Sequence, residues 1–194
     1  MPFPKTILLL LVFCAAVLPG RAQLSEGGKP LGLGKAQNLK LLKLPALDVS
    51  RVLAEDREHP EYNRFAAPLE VKLGRDDFSW EASEKGRLGL LRLRSKGAEA
   101  LALMFRNFRL APGARLFVYR PDGQQVLGAY TERNNRPQEN FLAGFVKGDE
   151  VVLELFEPAG QEESRLDIFR VMYAYDPLRL QSDHPFQVYQ GQGF

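Results

Sequence analysis

The chain has two histidines, His59 and His184, as the side chains best suited to general acid–base chemistry. A serine nucleophile needs its hydroxyl beside such a base, and the candidate hydroxyls are Ser79, Ser95 and Ser164. None of the three serines lies in the Gly-x-Ser-x-Gly pattern of a nucleophile elbow. His59 follows a predicted helix, where a positive charge is mildly favourable. The sequence therefore predicts no catalytic residue.

Carboxylates and glycines are the next candidates for chemistry. A glycosidase needs two carboxylates facing across a cleft, and calcium needs several oxygen ligands at a regular loop spacing. Adjacent acids on loops are more often solvated, and the calcium-loop spacing does not occur. Gly32 and Gly34 follow no predicted strand, so they do not indicate a phosphate-binding loop. We therefore predict no metal site and no cofactor at the acids considered, which are Glu55, Asp56, Asp76, Asp77, Asp122, Glu162 and Glu163.

Two aromatic residues offer a possible binding function instead. Trp80, the only tryptophan, and Tyr130 would stack on sugar rings if their faces were exposed. Aromatic side chains in strands more often fill a core or cover a sheet edge. The sequence leaves these two roles open.

The first 22 residues have the pattern of an export signal. Lys5 precedes an apolar run at residues 7–18, and small residues stand before a cleavage point after Ala22. Twelve apolar residues are too few for a membrane-spanning helix. The pattern predicts a secreted or periplasmic protein.

Removal of this signal changes the charge and the cysteine count. The full chain has 26 basic and 24 acidic residues. Loss of Lys5 and Arg21 leaves both at 24, so a nucleic-acid partner and, after signal cleavage, a membrane partner are not expected. The only cysteine, Cys14, leaves with the signal, which excludes disulfides and thiolate metal sites from the mature chain.

Alternating apolar residues between glycine and proline turns indicate the fold. Residues 87–130 contain several such runs, and period-2 spacing is typical of antiparallel strands on a core. A parity change predicts a bulge near Arg106 and Asn107. We predict an all-β antiparallel sandwich or jelly roll. Its strands are expected at residues 68–73, 78–82, 88–94, 99–110, 115–120, 125–131, 141–146, 151–157 and 166–175.

The remaining segments complete the domain plan. Residues 23–47 are expected to form an extended arm across the sandwich, and residues 48–175 the sandwich with its leading helix. Asp48 is a good N-cap for that helix, which is predicted over residues 49–57 with Val49, Val52 and Leu53 on its apolar face. Residues 176–194 read as a linker or tail. The predicted core consists of Leu101, Leu103, Phe105, Leu116, Val118, Val151, Leu153, Leu155, Leu166 and Ile168.

Five ordered motifs resemble the amino-terminal propeptide region of secreted bacterial serine proteases of the lysyl-endopeptidase-like, trypsin-fold type. The resemblance covers nearly the whole mature chain, although leucine stands at residues 90–91 where the family often has tryptophan. The motifs are Ser25-Glu26-Gly27-Gly28-Lys29-Pro30; Leu53-Ala54-Glu55-Asp56 with Arg64-Phe65-Ala66; Leu91-Arg92-Leu93-Arg94-Ser95 with Gly97-Ala98; Pro112 through Tyr119 with Gly128-Ala129-Tyr130-Thr131 and Asn134-Asn135; and Gly148 through Glu154 with Pro158 and Ile168 through Tyr175.

This resemblance implies a non-catalytic prodomain that assists the folding of an exported serine endopeptidase and keeps it inactive. The implied partner is the trypsin-fold protease domain, in the same chain or as a separate molecule. The family's catalytic positions would lie beyond Phe194, and residues 190–194 resemble the linker before them. A stand-alone secreted β-sandwich that binds carbohydrate or a cell-surface partner is the alternative.

Overall fold

The structure is a computed structural model that describes residues 24–180. The predicted signal at 1–22, Cys14 and the part of the predicted tail at 181–194, with His184, lie outside this range. Two α-helices lie in it, α1 at Val49–Glu58 and α2 at Pro177–Leu180. Its strands are β1 Leu41–Lys43, β2 Ala66–Leu73, β3 Ser79–Ser83, β4 Gly86–Arg94, β5 Ala100–Arg109, β6 Arg115–Tyr119, β7 Val126–Tyr130, β8 Phe141–Leu142, β9 Val146–Lys147, β10 Glu150–Pro158 and β11 Arg165–Ala174.

These strands form two sheets. The first sheet has the order β1-β4-β10-β6-β7, with β3 also paired to β4. The second sheet has the order β2-β11-β5-β8, with β9 also paired to β5. All pairs are antiparallel except β1 with β4, which is parallel. The predicted all-β sandwich is therefore confirmed.

The core lies between the two sheets and is built by strand alternation. In β10, Val151, Leu153 and Leu155 face inward and are fully buried, since every second side chain of a strand points to the same face. All ten predicted core residues are buried in this way. An aromatic group of Phe105, Phe108, Phe141 and Tyr130 fills one part of the same core.

The predicted bulge in β5 is also confirmed. Asn107 has a φ of 52°, and the pairing of β5 with β11 shifts between Arg106 and Arg109. Asparagine tolerates this left-handed conformation better than most residues. The extra residue explains why Phe105 and Phe108 both point into the core although they differ in parity.

The leading helix begins and ends close to the predicted positions. Asp48 accepts a hydrogen bond from the Arg51 backbone N–H at 3.0 Å, as an N-cap should. Val52 is buried against the sandwich, but Leu53 is 37% exposed. The prediction that Leu53 belongs to the apolar face is therefore wrong, because α1 contacts the sandwich along a narrower stripe.

Two other segments differ from the sequence prediction. Residues 141–146 are not one strand: β8 and β9 are separate, and between them the Ala143 backbone N–H donates to Leu103 O. The predicted tail begins with the short helix α2 rather than an irregular linker. Within residues 24–180, no helix combines the length and the apolar character that crossing a membrane requires.

The arm is more ordered than its sequence suggests. It contains a 3-10 helix at Leu33–Asn38 and strand β1. Near its start, Glu26 N–H donates to Ala129 O and Ala129 N–H donates to Gly27 O, which extends the first sheet beyond β7. Buried Ala36 packs with Phe117, Tyr119, Ala129 and Val152 in a second, smaller core. The arm therefore covers the outer face of the first sheet.

Candidate functional site

The histidine and serines considered as a base and nucleophiles have separate sets of contacts. His59 Nδ1 lies 3.0 Å from Glu61 Oε1, and its ring stacks on Tyr62 at 4.8 Å. Ser95 and Ser164 are fully buried, with their hydroxyls bonded to Pro45 O and to the Ala111 backbone N–H. These hydroxyls have structural partners in turns and loops rather than a base.

The acidic pair Glu55 and Asp56 makes contacts that stabilise the fold. Glu55 and Asp56 both bind the Arg64 guanidinium. Asp56 also accepts a hydrogen bond from the Tyr175 hydroxyl at 2.6 Å, which ties the end of β11 to α1. Burial and this carboxylate together raise the pKa of Tyr175 well above its ordinary value. The pair therefore fastens the helix to the sandwich.

Two of the acids considered for calcium, Asp77 and Asp122, also have partners within the protein. Asp77 accepts a hydrogen bond from the Gly74 backbone N–H at 2.8 Å in a loop. Asp122 accepts one from Gln124 N–H and forms an ion pair with Arg120 at 2.8 Å. Over residues 24–180, no group of three or more histidine, cysteine or acidic side chains is arranged to hold a metal ion.

The two aromatic candidates for sugar stacking have different positions. Tyr130 is buried in the core against Phe141 at 4.8 Å. Trp80 lies on the edge strand β3, over Gly89 of β4, where an added Cβ would come within 2.8 Å of the indole. The guanidinium carbons of Arg75 and Arg87 lie 4.6 and 5.0 Å from the Trp80 ring. Cation–π contacts with these two arginines thus cover the ring of the tryptophan that was a candidate for sugar stacking.

The same two arginines hold a buried carboxylate, Glu157. Arg75 bonds both of its oxygens at 2.8 and 3.0 Å, Arg87 Nε donates at 2.6 Å, and the Ser164 N–H donates at 2.6 Å. Burial alone raises the pKa of Glu157, but these hydrogen bonds and charges outweigh it and hold the pKa below its usual range. Exposed Glu163 completes the network by pairing with Arg87 at 2.6 Å. These bonds hold the end of β10 against Arg87 of β4 and against Arg75, which precedes edge strand β3.

A second buried carboxylate, Glu154, holds the arm. It is fully buried on the outer face of β10 and accepts hydrogen bonds from Leu31 N–H at 2.6 Å and Gly32 N–H at 2.8 Å. The Tyr119 hydroxyl donates at 3.3 Å. Burial raises the pKa of Glu154, and the two backbone donors act against that shift. An added Cβ at Gly32 would lie 2.7 Å from a Leu90 methyl, so a larger residue there would have to displace the Leu90 side chain.

Sequence reasoning missed the roles of Glu154 and Gly32. The available signal was the charge itself, since a single glutamate interrupts the apolar run from Val151 to Phe156. On an exposed sheet face such a residue is ordinary. Only the arm lying above β10 makes it a buried and fully bonded group.

The side of the second sheet that faces away from the core carries a cluster of apolar residues. We define the outer sheet face as the side of the second sheet that faces away from the first sheet. There the cross-strand register aligns Ala66, Ala174 and Ala100 in one row and Met172 with Ala102 in the next, and all five are buried. Phe65 and Phe145 pack on these small residues, with their rings 5.3 Å apart. Met104 and its partner Leu142 form the following row, and Leu142 is 40% exposed.

The far end of the outer sheet face is charged. Arg170 pairs across the strands with Glu70 and binds its carboxylate. The guanidinium groups of Arg170 and Arg106 both lie over the Phe169 ring, at 5.3 and 6.0 Å. Among residues 24–180, Arg106 makes no ion pair, and it is exposed. A shallow hollow lies here, lined by Glu70, Val71, Lys72, Arg106 and Phe169. The outer sheet face thus combines a buried apolar area with a partly exposed charged end.

Comparison with known proteins found only weak structural likenesses. No protein-family model matches the chain. Among solved structures, an Arthrobacter globiformis isomalto-dextranase complexed with panose is 8% identical over 47% of this chain and 17% of its own, with a TM-score of 0.22. Insecticidal crystal protein Cry2Aa is 10% identical over 58% of this chain and 22% of its own, with a TM-score of 0.26. The module CsCBM6-3 from Clostridium stercorarium in complex with cellobiose is 9% identical over 56% of this chain and 92% of its own, with a TM-score of 0.24. This chain therefore spans less than a quarter of the first two proteins, and none of these likenesses bears on its function.

Proposed function

We propose that this chain is the non-catalytic prodomain of an exported serine endopeptidase, which assists the folding of a trypsin-fold protease domain and keeps it inactive. The protease domain would either continue the same polypeptide or act as a separate chain. The ordered motifs that resemble lysyl-endopeptidase-like propeptides motivate this proposal.

The observation that carries it is that motifs far apart in the sequence meet in space. The first motif, through Glu26 and Gly27, pairs with Ala129 of the fourth motif. Glu154, which ends the glycine-to-glutamate run of the fifth motif, binds Leu31 and Gly32 directly after the first. These contacts join the motifs in one folded domain, as a prodomain that includes all of them requires.

Export is part of the proposal, and contacts at the start of the described chain are compatible with the proposed cleavage. The Leu24 carbonyl accepts a hydrogen bond from Asn134 Nδ2 at 2.9 Å, only two residues after the proposed cleavage at Ala22. The Ser25 hydroxyl donates to Gly128 O. A mature chain that begins at Gln23 would keep every one of these contacts, because none requires the signal.

The two aromatic side chains that would favour the carbohydrate-binding alternative do not present an open ring face. Tyr130 is in the core, and Trp80 is covered by Arg75 and Arg87. Sugar binding normally uses an exposed aromatic face. We therefore retain the alternative only as an outcome of the test.

The test has two parts, the DNA sequence around this gene and a refolding assay. The reading frame after Phe194, or a neighbouring gene, should encode a trypsin-fold domain with histidine, aspartate and serine in a catalytic set. That domain is unfolded in denaturant and diluted with or without one equivalent of residues 23–194. We expect recovered protease activity to rise at least several-fold once the chain is later removed by proteolysis, and active protease to be inhibited by fresh chain.

The control is Leu153→Ala, which destabilises the core, so both effects should weaken as the folded fraction of the chain falls. A stop codon at Phe194 with no neighbouring protease gene, or a catalytic domain that refolds and works identically with and without the chain, would overturn the proposal. Binding to polysaccharide in pull-down assays, with no effect on a protease, would favour the alternative.

A further inference from the structure

We infer that the hollow at the charged end of the outer sheet face binds a carboxylate of an acidic peptide segment, with the Arg106 guanidinium as its main partner. The carboxylate would belong to an aspartate or glutamate in an extended segment of another protein. This inference goes beyond the proposed function and does not depend on it, because the hollow and its charges belong to the described residues alone.

An irregularity in β11 gives the hollow its aromatic wall. The pairing of β11 with both β2 and β5 shifts in register between Ile168 and Arg170. Ile168 points into the main core, whereas half-buried Phe169 lines the hollow. Successive side chains of a regular strand would point to opposite faces, but at this shift the Phe169 ring lies beside the Arg170 guanidinium.

The Phe169 ring contacts two guanidinium groups, and among the described residues only one of them has a carboxylate partner. Arg170 lies 5.3 Å from the ring centre, and its Nε donates a hydrogen bond to Glu70. Arg106 lies 6.0 Å from the same ring, and its side chain makes no ion pair within residues 24–180. A guanidinium over a ring still presents its N–H groups at the edge, where they match the two oxygens of a carboxylate. The Arg170 contact with Glu70 is therefore the type of contact that we infer for Arg106.

The carboxylate opposite Arg106 in the sheet is directed elsewhere. Asp167 of β11 is the register partner of Arg106. However, Asp167 Oδ2 lies 3.5 Å from Asn107 Nδ2, and Asp167 Oδ1 lies 3.6 Å from the position that a Cβ on Gly74 would take. Asp167 therefore faces the corner between β2 and β3 and is not part of the hollow.

The size and the charge of the hollow suit an organic acid. Its volume is about 370 Å³, which is at the lower end of the range for sites that hold small organic groups. Lys72 lines it beside Arg106, is exposed, and likewise makes no ion pair within the described chain. Val71 and Phe169 supply apolar surface for the methylene groups that carry a carboxylate. Because Arg170 already neutralises Glu70, two positive charges in the hollow are available to a ligand.

The position of the hollow at a sheet edge favours a peptide as the carrier of the carboxylate. Strand β2 ends the second sheet and supplies three consecutive residues of the hollow, Glu70, Val71 and Lys72. An extended peptide can lie along such an edge and direct alternate side chains into a neighbouring pocket. Pro68 has no backbone N–H, and the pairing of β2 is irregular opposite Phe169, so only a short segment could pair there. An acidic polysaccharide has no backbone amides with which to use this edge.

The test measures the binding of two matched peptides to residues 23–194 by NMR. The probes are acetyl-Leu-Glu-Leu-amide and acetyl-Leu-Gln-Leu-amide, and the reporter is the Nε–Hε signal of Arg106, which is assigned by its loss in Arg106→Gln. We expect the glutamate peptide to shift this signal in a saturable way. The glutamine peptide should bind at least tenfold more weakly, because it cannot form charge-assisted hydrogen bonds with the guanidinium.

Variants locate the site and separate its geometry from its charge. Arg106→Gln should abolish binding of the glutamate peptide, with signals of β2 as the reporter, and Lys72→Gln should weaken it several-fold. Arg106→Lys keeps the charge but loses the planar fork, so its Kd should also rise several-fold. The matched control is Arg109→Gln, since Arg109 is an exposed arginine of the same strand that lines a different hollow. This control should change the Kd by less than twofold.

Three results would overturn the inference. The first is equal affinity for the two peptides, or equal binding by Arg106→Gln and wild type. The second is an equal shift of the Arg106 signal by inorganic phosphate at the same concentration, which would show a general attraction of anions. The third is binding of an oligogalacturonate in the absence of peptide binding, which would assign the hollow to acidic carbohydrate. If Arg106→Gln lowers the melting temperature by more than a few degrees, Arg106→Lys decides the result. Failure of the chain to assist a protease would overturn the proposed function and leave this inference standing.

Discussion

Glu154 and Gly32, 122 residues apart in the sequence, are joined by a buried hydrogen bond of 2.8 Å from the Gly32 N–H to the carboxylate. The neighbouring Leu31 N–H binds the other oxygen. Two consecutive backbone donors thus meet one carboxylate on the central strand of the first sheet. This contact, together with the pairing of Glu26 and Gly27 with Ala129 and of β1 with β4, explains why residues 24–44 have a defined position without any repeating pattern.

We predict that Glu154→Gln loosens the arm selectively. Glutamine offers one acceptor oxygen in place of two, so Leu31 or Gly32 loses its partner, at a cost of about 1–3 kcal/mol for a buried donor. Hydrogen exchange of these two amides should accelerate at least tenfold while amides of β10 change much less. Tyr119→Phe is the control, since it removes only the longer 3.3 Å bond. Equal protection in Glu154→Gln and wild type would contradict this role.

The contrast between neighbouring residues of β10 shows what the sequence can predict. Leu153 belongs to the core because alternation and hydrophobicity act in the same direction, and this is visible from a few residues. Glu154 is buried just as completely, but by a segment more than a hundred residues away. The arm has no periodicity, so its position follows from specific hydrogen bonds that local patterns do not encode. The sequence did not indicate the apolar cluster on the outer sheet face for a related reason. Its alanines and methionines alternate along the strands with residues of the main core.

Leu153→Ala should lower the free energy of unfolding by about 2–5 kcal/mol, because the side chain is fully buried between the sheets. Leu53→Ala on α1 is the matched control and should change it by less than about 0.5 kcal/mol. Chemical denaturation of both variants measures the two differences. A loss below about 0.5 kcal/mol for Leu153→Ala would remove this residue from the core.

The ion pairs of Glu157 should make the free energy of unfolding depend on pH. The folded-state pKa of Glu157 lies below the ordinary value of 4.5, so its contribution is present above that value and is lost as the pH falls through the folded pKa. Glu157→Gln should therefore destabilise the chain by about 3 kcal/mol at pH 7, with a smaller difference near pH 3. Glu163→Gln, whose side chain is 63% exposed, should cost less than about 1 kcal/mol at pH 7. A Glu157→Gln difference that is constant from pH 7 to pH 3 would exclude this linkage.

Purified residues 23–194 should hydrolyse no peptide or ester substrate. His59 contacts Glu61 and Tyr62, while buried Ser95 and Ser164 bind backbone groups, so no described serine has a base as its partner. Repurified protein is assayed beside His59→Ala, which should show the same background rate. Activity that survives repurification and disappears in His59→Ala would establish an enzyme.

The last prediction concerns maturation of the proposed precursor. Separation from a protease requires a cut in an accessible segment after the sandwich. The chain has no lysine after Lys147, and Arg165 and Arg170 lie within β11. Arg179 is therefore the one basic residue beyond the last strand. An arginine-tolerant protease should cut between Arg179 and Leu180, which requires the single turn of α2 to open first. A strictly lysine-specific protease should be released beyond Phe194 or by another enzyme.

Terminal sequencing of the mature protease, produced from the full gene, identifies the bond that is cut. Arg179→Gln should abolish a cut at 179–180, whereas Arg165→Gln should leave processing unchanged, because paired strand backbone does not enter a protease cleft. The short helix α2 should slow cleavage only slightly, since a single helical turn opens readily. Self-cleavage by a strictly lysine-specific enzyme between Asp176 and Phe194 would contradict the argument, because that segment offers it no lysine.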